Sequence, residues 1–259
     1  MISKKFSGIG TLLLSCAILH QSLAMFEIES NPTLDPSYTP LHAAAIAGDA
    51  NRIKQLLERG EDPNVRGSDG LAPVFFVFFH SHNQAAKNSL LNANIEVDAR
   101  DPYGRTALFY ATAWGTAEDV ATLLEKGADP SVTDNDGNTP LHYAVYYNTP
   151  PNGAQYGKIG GNIAAIRSLL EQQKNCDCCD NEGRTPFYHA AQLGQLYTAL
   201  FLLANGANPC IADKKGHTAR RATHDLRHKG NENLDHLLKQ TDALLDQSEK
   251  EWQKKNPTK

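Results

Sequence analysis

Cys176, Cys178, Cys179 and Cys210 are the residues of this chain whose type and spacing bring covalent or metal chemistry within reach. Cys176-Asp177-Cys178-Cys179 contains the C-x-x-C spacing used by zinc sites, and His189 follows it downstream. Tetrahedral zinc wants four convergent ligands, commonly two spaced pairs, and one pair is present, so no metal is assigned. A redox use of C-x-x-C needs a thioredoxin-like βαβ setting, which the surrounding pattern lacks. Acid–base chemistry is no better placed, because the histidines are scattered and a general base needs a positioned partner. Gly160-Gly161 lies in a polar stretch rather than after a strand, so no phosphate cradle is read there. The expectation is a chain that is not an enzyme and takes no cofactor. A thiol- or metal-dependent protein built on Cys176, Cys178, Cys179 and Cys210 stands as the alternative.

The elements that must position these residues repeat. Thr39-Pro40-Leu41-His42 opens a series whose later copies begin at Ala72, Thr106, Thr139, Thr185 and Thr218, so successive starts lie 33, 34, 33, 46 and 33 residues apart. A period of this size marks a solenoid of stacked units. A glycine stands two residues before copies two to six (Gly70, Gly104, Gly137, Gly183, Gly216), and Asp101, Asp134, Asp180 and Asp213 stand three residues before the last four of these. Leu56-Leu57, Leu123-Leu124 and Leu202-Leu203 follow, each closed by Gly60, Gly127 or Gly206. Thr-Pro suits a helix start, where the Thr oxygen caps an orphan N–H and Pro needs none. The late glycine suits a left-handed helix end. Each unit reads as a hairpin turn, a short helix, a tight turn and a second helix.

This pattern closely resembles the ankyrin-repeat family over roughly Tyr38 to Leu245, with Thr139-Pro140-Leu141-His142, Asp134 and Gly137 its fullest copy. The resemblance implies an all-α dominated solenoid of about six repeats, β-hairpin turn plus two antiparallel helices each, the sixth a C-terminal cap. His42 and His142 are then structural. The fourth motif position is Phe75, Phe109, Tyr188 or Arg221 elsewhere, and copy two departs furthest, with Ser81 where the family has Gly. Thirteen extra residues lengthen unit four, and the Pro- and Gly-rich stretch 149–161 is expected as a projecting loop in which Tyr156 and Lys158 reach toward a ligand. Because neighbouring hairpins lie side by side in this architecture, a disulfide from Cys178 or Cys179 to Cys210 is expected to staple units four and five.

Residues 1–24 carry Lys4-Lys5, an apolar run from Ile9 to Leu19 and Ser22-Leu23-Ala24, the order of a secretory signal peptide; the run is short for a membrane span. Lipid attachment at Cys16, in Leu13-Leu14-Ser15-Cys16, is the competing reading. Most of the resembled family works in cytosol or nucleus, so a leader points to a bacterial chain exported to the periplasm or beyond. Cleavage would remove two Lys and no acid, taking the net charge from −4 to −6. That balance excludes a basic nucleic-acid footprint. Residues 25–37 are expected as an extended lead-in, 38–245 as the repeat domain, and 246–259 as a polar tail.

In the resembled family, ligands meet the hairpin tips and the first helices along a concave groove. The matching tips are Ser68-Asp69, Pro102-Tyr103, Asn135-Asp136, Asn181-Glu182 and Lys214-Lys215, joined by Arg105 before the third motif. On the first helices the matching positions hold Phe79, Trp114, Tyr146 and Tyr147, aromatic where solvent is expected. Tyr and Trp are favoured anchors at protein interfaces. The sequence therefore predicts a monomeric protein-binding module whose partner is another protein, met through Phe79, Tyr103, Arg105, Trp114, Tyr146 and Tyr147.

Overall fold

The computed structural model describes residues 36–79, 83–147, 163–173, 175–221 and 232–256. The leader, most of the lead-in and the 149–161 loop with Tyr156 and Lys158 lie outside the described residues. Helix pairs follow one another along the chain: α1 (Pro40–Ile46) with α2 (Ala50–Glu58), α3 (Pro73–Phe76) with α4 (Gln84–Leu91), α5 (Ala107–Trp114) with α6 (Ala117–Glu125), α7 (Pro140–Tyr146) with α8 (Ile163–Gln173), and α9 (Pro186–Gln192) with α10 (Leu196–Ala204). The last helix, α11 (Glu232–Lys255), closes the series.

The motif residues build each first helix and tie it to the next unit. Thr39 and Thr139 donate their backbone N–H to Nδ1 of His42 and His142, 3.1 Å in both. The opposite nitrogen, Nε2, donates to a carbonyl one unit further on, Leu71 at 3.0 Å and Arg184 at 3.1 Å. Both imidazoles are wholly buried structural groups, as expected. In the hairpins, Oδ1 of Asp101 accepts from the N–H of Tyr103 and Arg105, and Asp134 and Asp180 repeat the pattern with Asp136 and Asn138, and with Glu182 and Arg184. Gly137 adopts φ 80°, and a Cβ there would lie 2.6 Å from the Asn181 nitrogen, so the tip admits only glycine. Successive tips bond through Asn135 N–H to Tyr103 O, Asn181 N–H to Asp136 O and Lys214 N–H to Glu182 O.

The hairpins close without extended strands: among the described residues the one β-bridge joins Ala212 and Thr218. Two backbone bonds each, such as Asp134 N–H to Asn138 O at 2.9 Å and Gly137 N–H to Asp134 O at 3.0 Å, leave no length for a ladder. The fold is thus an all-α solenoid of about six stacked helix pairs.

Between the layers runs one apolar core, including Leu41, Phe75, Leu90, Phe109, Leu123, Leu141, Ile166, Phe187 and Leu202. No single unit could bury these side chains alone. Phe75 and Phe76 pack into it. Unit two shows its divergence in its first helix, which stops after four residues and tightens into a 3-10 turn over Val77–Phe79. At the far end, Arg220 reaches Asp246 of α11 at 2.6 Å, so an acidic patch of the last helix covers the position where other units carry an apolar motif residue. The tail expected over 246–259 is helical as far as Lys255, supported by Lys250 on Asp246 and Gln247 on Glu251, both at i,i+4.

One buried ion pair had no signal in the repeat pattern. Lys87 of α4 meets Asp119 of α6 at 2.6 Å with both side chains fully enclosed, and Asp119 also accepts from the Thr116 N–H and Gln84 Nε2. Burial alone would raise the Asp119 carboxyl, but these donors, Lys87 foremost, hold it below the usual range. Removing one member strands the other in a dry interface. Asp119→Ala is expected to cost about 3–5 kcal/mol in urea denaturation, more than Lys87→Met, which leaves Asp119 bonded to Thr116 and Gln84. Equal, small losses would show that the pair contributes little.

Candidate functional site

The first helices and hairpin tips present an aromatic face spanning units two to four. Phe79 stacks on Trp114 with ring centroids 4.8 Å apart, Trp114 on Tyr147 at 5.4 Å, and Tyr147 on Tyr143 at 5.4 Å. Phe79, Trp114 and Tyr147 are half-buried, each packed against the core beneath it. Tyr110, fully buried, braces the row from below, 5.9 Å from Phe79 and 5.6 Å from Trp114. The row is therefore ordered before any contact.

Tyr103 marks the tip end of the same face and is 49% exposed. Arg105 sits behind it with the guanidinium 4.7 Å from the Tyr103 centroid and 5.1 Å from that of Tyr110. Arg105 itself corrects the expectation of a surface contact, since it is only 3% exposed and bonded to Asp101 Oδ2 at 2.7 Å and Tyr110 Oη at 3.0 Å. The physical reason is its place four residues after the turn aspartate, where the backbone closes the hairpin and the side chain folds back onto the same carboxylate. Arg184 repeats this on Asp180 at 2.8 Å.

Tyr146 points away from the row. Its hydroxyl lies 2.7 Å from Nδ1 and 2.8 Å from Nε2 of His189, and His189 Nε2 lies 3.0 Å from Asp180 Oδ2. A tyrosine, a histidine and an aspartate in contact suggest an acid–base relay, but the Tyr146 oxygen, equally close to both ring nitrogens, lies over the imidazole face rather than in line with either, and His189 and Asp180 are buried. Burial would raise the Asp180 carboxyl, yet the His189 hydrogen bond and Arg184 bring it down to about 2. Burial, opposed by the Asp180 bond, lowers His189. His142, 5.8 Å from His189 by ring centroids, is pushed down to about 3 by burial and then by that neighbour.

The cysteine expectations do not survive. All four described cysteines are free thiols, so the staple from Cys178 or Cys179 to Cys210 is absent. Three of the sulfurs have turned to partners of their own: Cys176 to Asn205 O at 3.5 Å, Cys178 to Thr139 Oγ1 at 3.3 Å, and Cys179 to Asp177 O at 3.6 Å. Among the described residues, no three His, Cys, Asp or Glu side chains converge as a metal site. Burial raises Cys176 to about 11 and raises Cys178, Cys179 and Cys210 as well, the reverse of an activated thiolate. The thiol- or metal-dependent alternative is withdrawn on these grounds.

The sequence missed a second apolar surface in unit five, where Leu193, Tyr197 and Leu200 are the exposed large apolar side chains other than Tyr103 among the described residues. Its signal was legible: α10 carries no charged residue, unlike α2 with Lys54 and Glu58 or α6 with Glu118 and Glu125. No described helix is long and apolar enough to cross a membrane.

An aromatic face carried by a stack of repeated helix pairs defines a repeat scaffold of the kind that mediates protein–protein interaction. A family model described as ankyrin repeats (3 copies) matches residues 41–134, 82–156 and 154–213, and the chain belongs to that family. Human transient receptor potential cation channel subfamily A member 1 is 32% identical over 112 residues, 43% of this chain and 10% of that protein. Human SH3 and multiple ankyrin repeat domains protein 2 is 33% identical over 110 residues, 42% and 6% respectively. The chain thus spans a tenth or less of these curated relatives. Among solved structures, an ankyrin repeat domain from Acinetobacter baumannii AYE is similar at TM-score 0.58 and 25% identity, covering 78% of this chain and 97% of that one. The ankyrin repeat protein EF0377 shares the fold at TM-score 0.61 and 22% identity, covering 78% and 98%.

Two measurements check this chemistry. His142 is neutral when folded and gains its proton on unfolding below its ordinary value of 6.5, so its stabilisation is intact above pH 6.5 and lost as pH falls toward 3. The unfolding free energy from urea titration is expected to fall as pH drops from 6.5 to 5, by up to ~1.4 kcal/mol per pH unit for one such histidine, with a shallower slope in His142→Gln. Thiol titration of the protein, denatured without reductant, is expected to find Cys176, Cys178, Cys179 and Cys210 all reactive; a titre two thiols short would restore the disulfide.

Proposed function

We propose that this chain is an exported binder that holds another protein against the face formed by its hairpin tips and first helices. Phe79, Trp114 and Tyr147 act as anchors, Tyr103 closes the tip edge, and Arg105 and Tyr146 hold the face from behind. The observation that carries the reading is the continuous row of half-exposed rings across three successive units, each packed on the next. Rings already fixed in place lose little freedom on binding, so more of the contact energy appears as affinity. Trp and Tyr in such positions commonly dominate interface energetics. Export rests on residues 1–24, whose basic, apolar and small-residue order is that of a secretory leader. A bacterial envelope or secreted partner, or a host protein met after release, fits that route.

Affinity capture from envelope and secreted fractions tests the reading, comparing the protein with a Trp114→Ala/Tyr147→Ala variant of unchanged helical circular dichroism. A protein held by the first and released by the variant, with at least a tenfold loss of affinity, is the expected result. Equal capture by both would move attention to Leu193, Tyr197 and Leu200 of unit five.

A further inference from the structure

Unit four lacks the basic side chain that the other units with a turn aspartate carry at the same place. Four residues after Asp101, Asp180 and Asp213 stand Arg105, Arg184 and His217. Arg105 Nε lies 2.7 Å from Asp101 Oδ2, Arg184 Nε 2.8 Å from Asp180 Oδ2, and His217 Nδ1 3.8 Å from Asp213 Oδ2. Four residues after Asp134 stands Asn138, a neutral amide. Its Nδ2 donates to the two Asp134 oxygens at 3.3 and 3.2 Å, and the Tyr143 hydroxyl donates to Oδ2 at 3.1 Å. These bonds occupy the carboxylate without neutralising its charge. An amide meets a carboxylate only through its N–H edge, so Asn138 Oδ1 is turned away from Asp134. That oxygen is buried and has no donor among the described residues. Native interiors seldom leave an acceptor in this state, and here it coincides with the missing cation.

The tip above this place differs in the same sense. In unit three the residue two after the turn aspartate is Tyr103, whose ring covers the Arg105 guanidinium at 4.7 Å. In unit four that residue is Asp136, which is exposed and carries no ion pair among the described residues. We infer that unit four is the cation site of the binding face: an arginine of the partner protein enters at Asp136 and supplies to Asp134 and Asn138 Oδ1 the guanidinium that units three and five carry themselves. A guanidinium suits the place because its planar fork of donors can serve several acceptors at once. This rests on the reading of hairpin tips and first helices as the binding face, and it names the chemistry of what meets them.

The surroundings favour a positive guest. In unit five the same place is filled by Arg184, whose side chain is 13% exposed, so the position lies where a partner's side chain can take it. The neighbouring tip adds a second exposed carboxylate, Glu182, and the two tips are joined by the bond from Asn181 N–H to Asp136 O. Arg105 and Arg184 on either side are each held by their own aspartate, and Lys214 and Lys215 stand beyond Glu182 on the tip of unit six. Burial, opposed by the Asn138 and Tyr143 bonds and assisted by the charge of Asp136, raises the Asp134 carboxyl. Asp180, buried likewise but with His189 and Arg184 against it, is brought down to about 2.

Titration of the nitrogen-labelled full-length protein with N-acetyl-arginine amide, followed by NMR at low salt, tests the site without any partner. The expected result is a saturable shift of the Asp136 and Asn138 backbone amides, and none with N-acetyl-citrulline amide, which keeps the shape without the charge. Asp136→Asn is expected to weaken binding about threefold or more. Asn138→Arg, which places a guanidinium on Asp134 from within the chain, is expected to weaken it about tenfold or more, with a urea midpoint no lower than that of the parent. Unchanged affinity in a folded Asn138→Arg protein, equal shifts from the citrulline compound, or shifts that do not saturate overturn the inference. Where that variant unfolds, Asp136→Asn decides alone, and full affinity in it overturns the inference as well. The Trp114→Ala/Tyr147→Ala capture leaves Asp134, Asp136 and Asn138 intact, so this inference and the binding reading fail separately.

Discussion

A buried carboxylate at the base of the hairpins of units three, four and five is the interaction on which the array depends. Asp101, Asp134 and Asp180 each close the hairpin with Oδ1, accepting two backbone N–H groups, and turn Oδ2 to a side chain nine residues on, Tyr110, Tyr143 or His189. An isolated buried carboxylate is costly, and this set of donors offsets the cost while locking hairpin to helix. With hairpin and helix fixed at a set angle, the tips can bond along the stack and the first helices can present one continuous row of rings. Unit two has Gly67 in the corresponding place, where a Cβ would strike Tyr38, and its first helix is also the shortest of the described first helices.

Stiffness in this molecule therefore comes from polar bonds at the edges as much as from the apolar centre. Each motif histidine joins its own helix start to the next hairpin, so a unit is completed by its neighbour. The aromatic face inherits that order, since Trp114 lies between Phe79 and Tyr147 from adjacent units and rests on Tyr110. A surface assembled in this way recognises a partner by shape already present rather than by folding around it.

Most of the fold was legible, and the candidate site only in part. Thr-Pro starts, the tip glycines and the Leu-Leu pairs are local signals repeated at a fixed period, and each occupies its expected place. Trp114 and Tyr147 could be placed on one face because the family resemblance assigns them to matching ends of successive first helices. Arg105 could not be read correctly, because its fate turns on a carboxylate that folds it inward. Cys178 and Cys210 lie in equivalent hairpins, yet Cys178 turned to Thr139 of the preceding unit instead of forming the expected bridge. Lys87 and Asp119 sit on separate second helices and resemble ordinary solvated charges until those helices are packed.

The sequence by itself determined the repeat, its register and the secondary structure of each unit, because caps, turns and apolar spacing act within a few residues of one another. Tertiary structure alone decided which polar groups meet across units. His142 and Arg184, Tyr146 and His189, and Lys87 and Asp119 are separated by 42, 43 and 32 positions. No local pattern encodes those pairings. They follow from the rotation between stacked units, which sets whether a side chain at a given helix position faces solvent, core or a neighbouring charge.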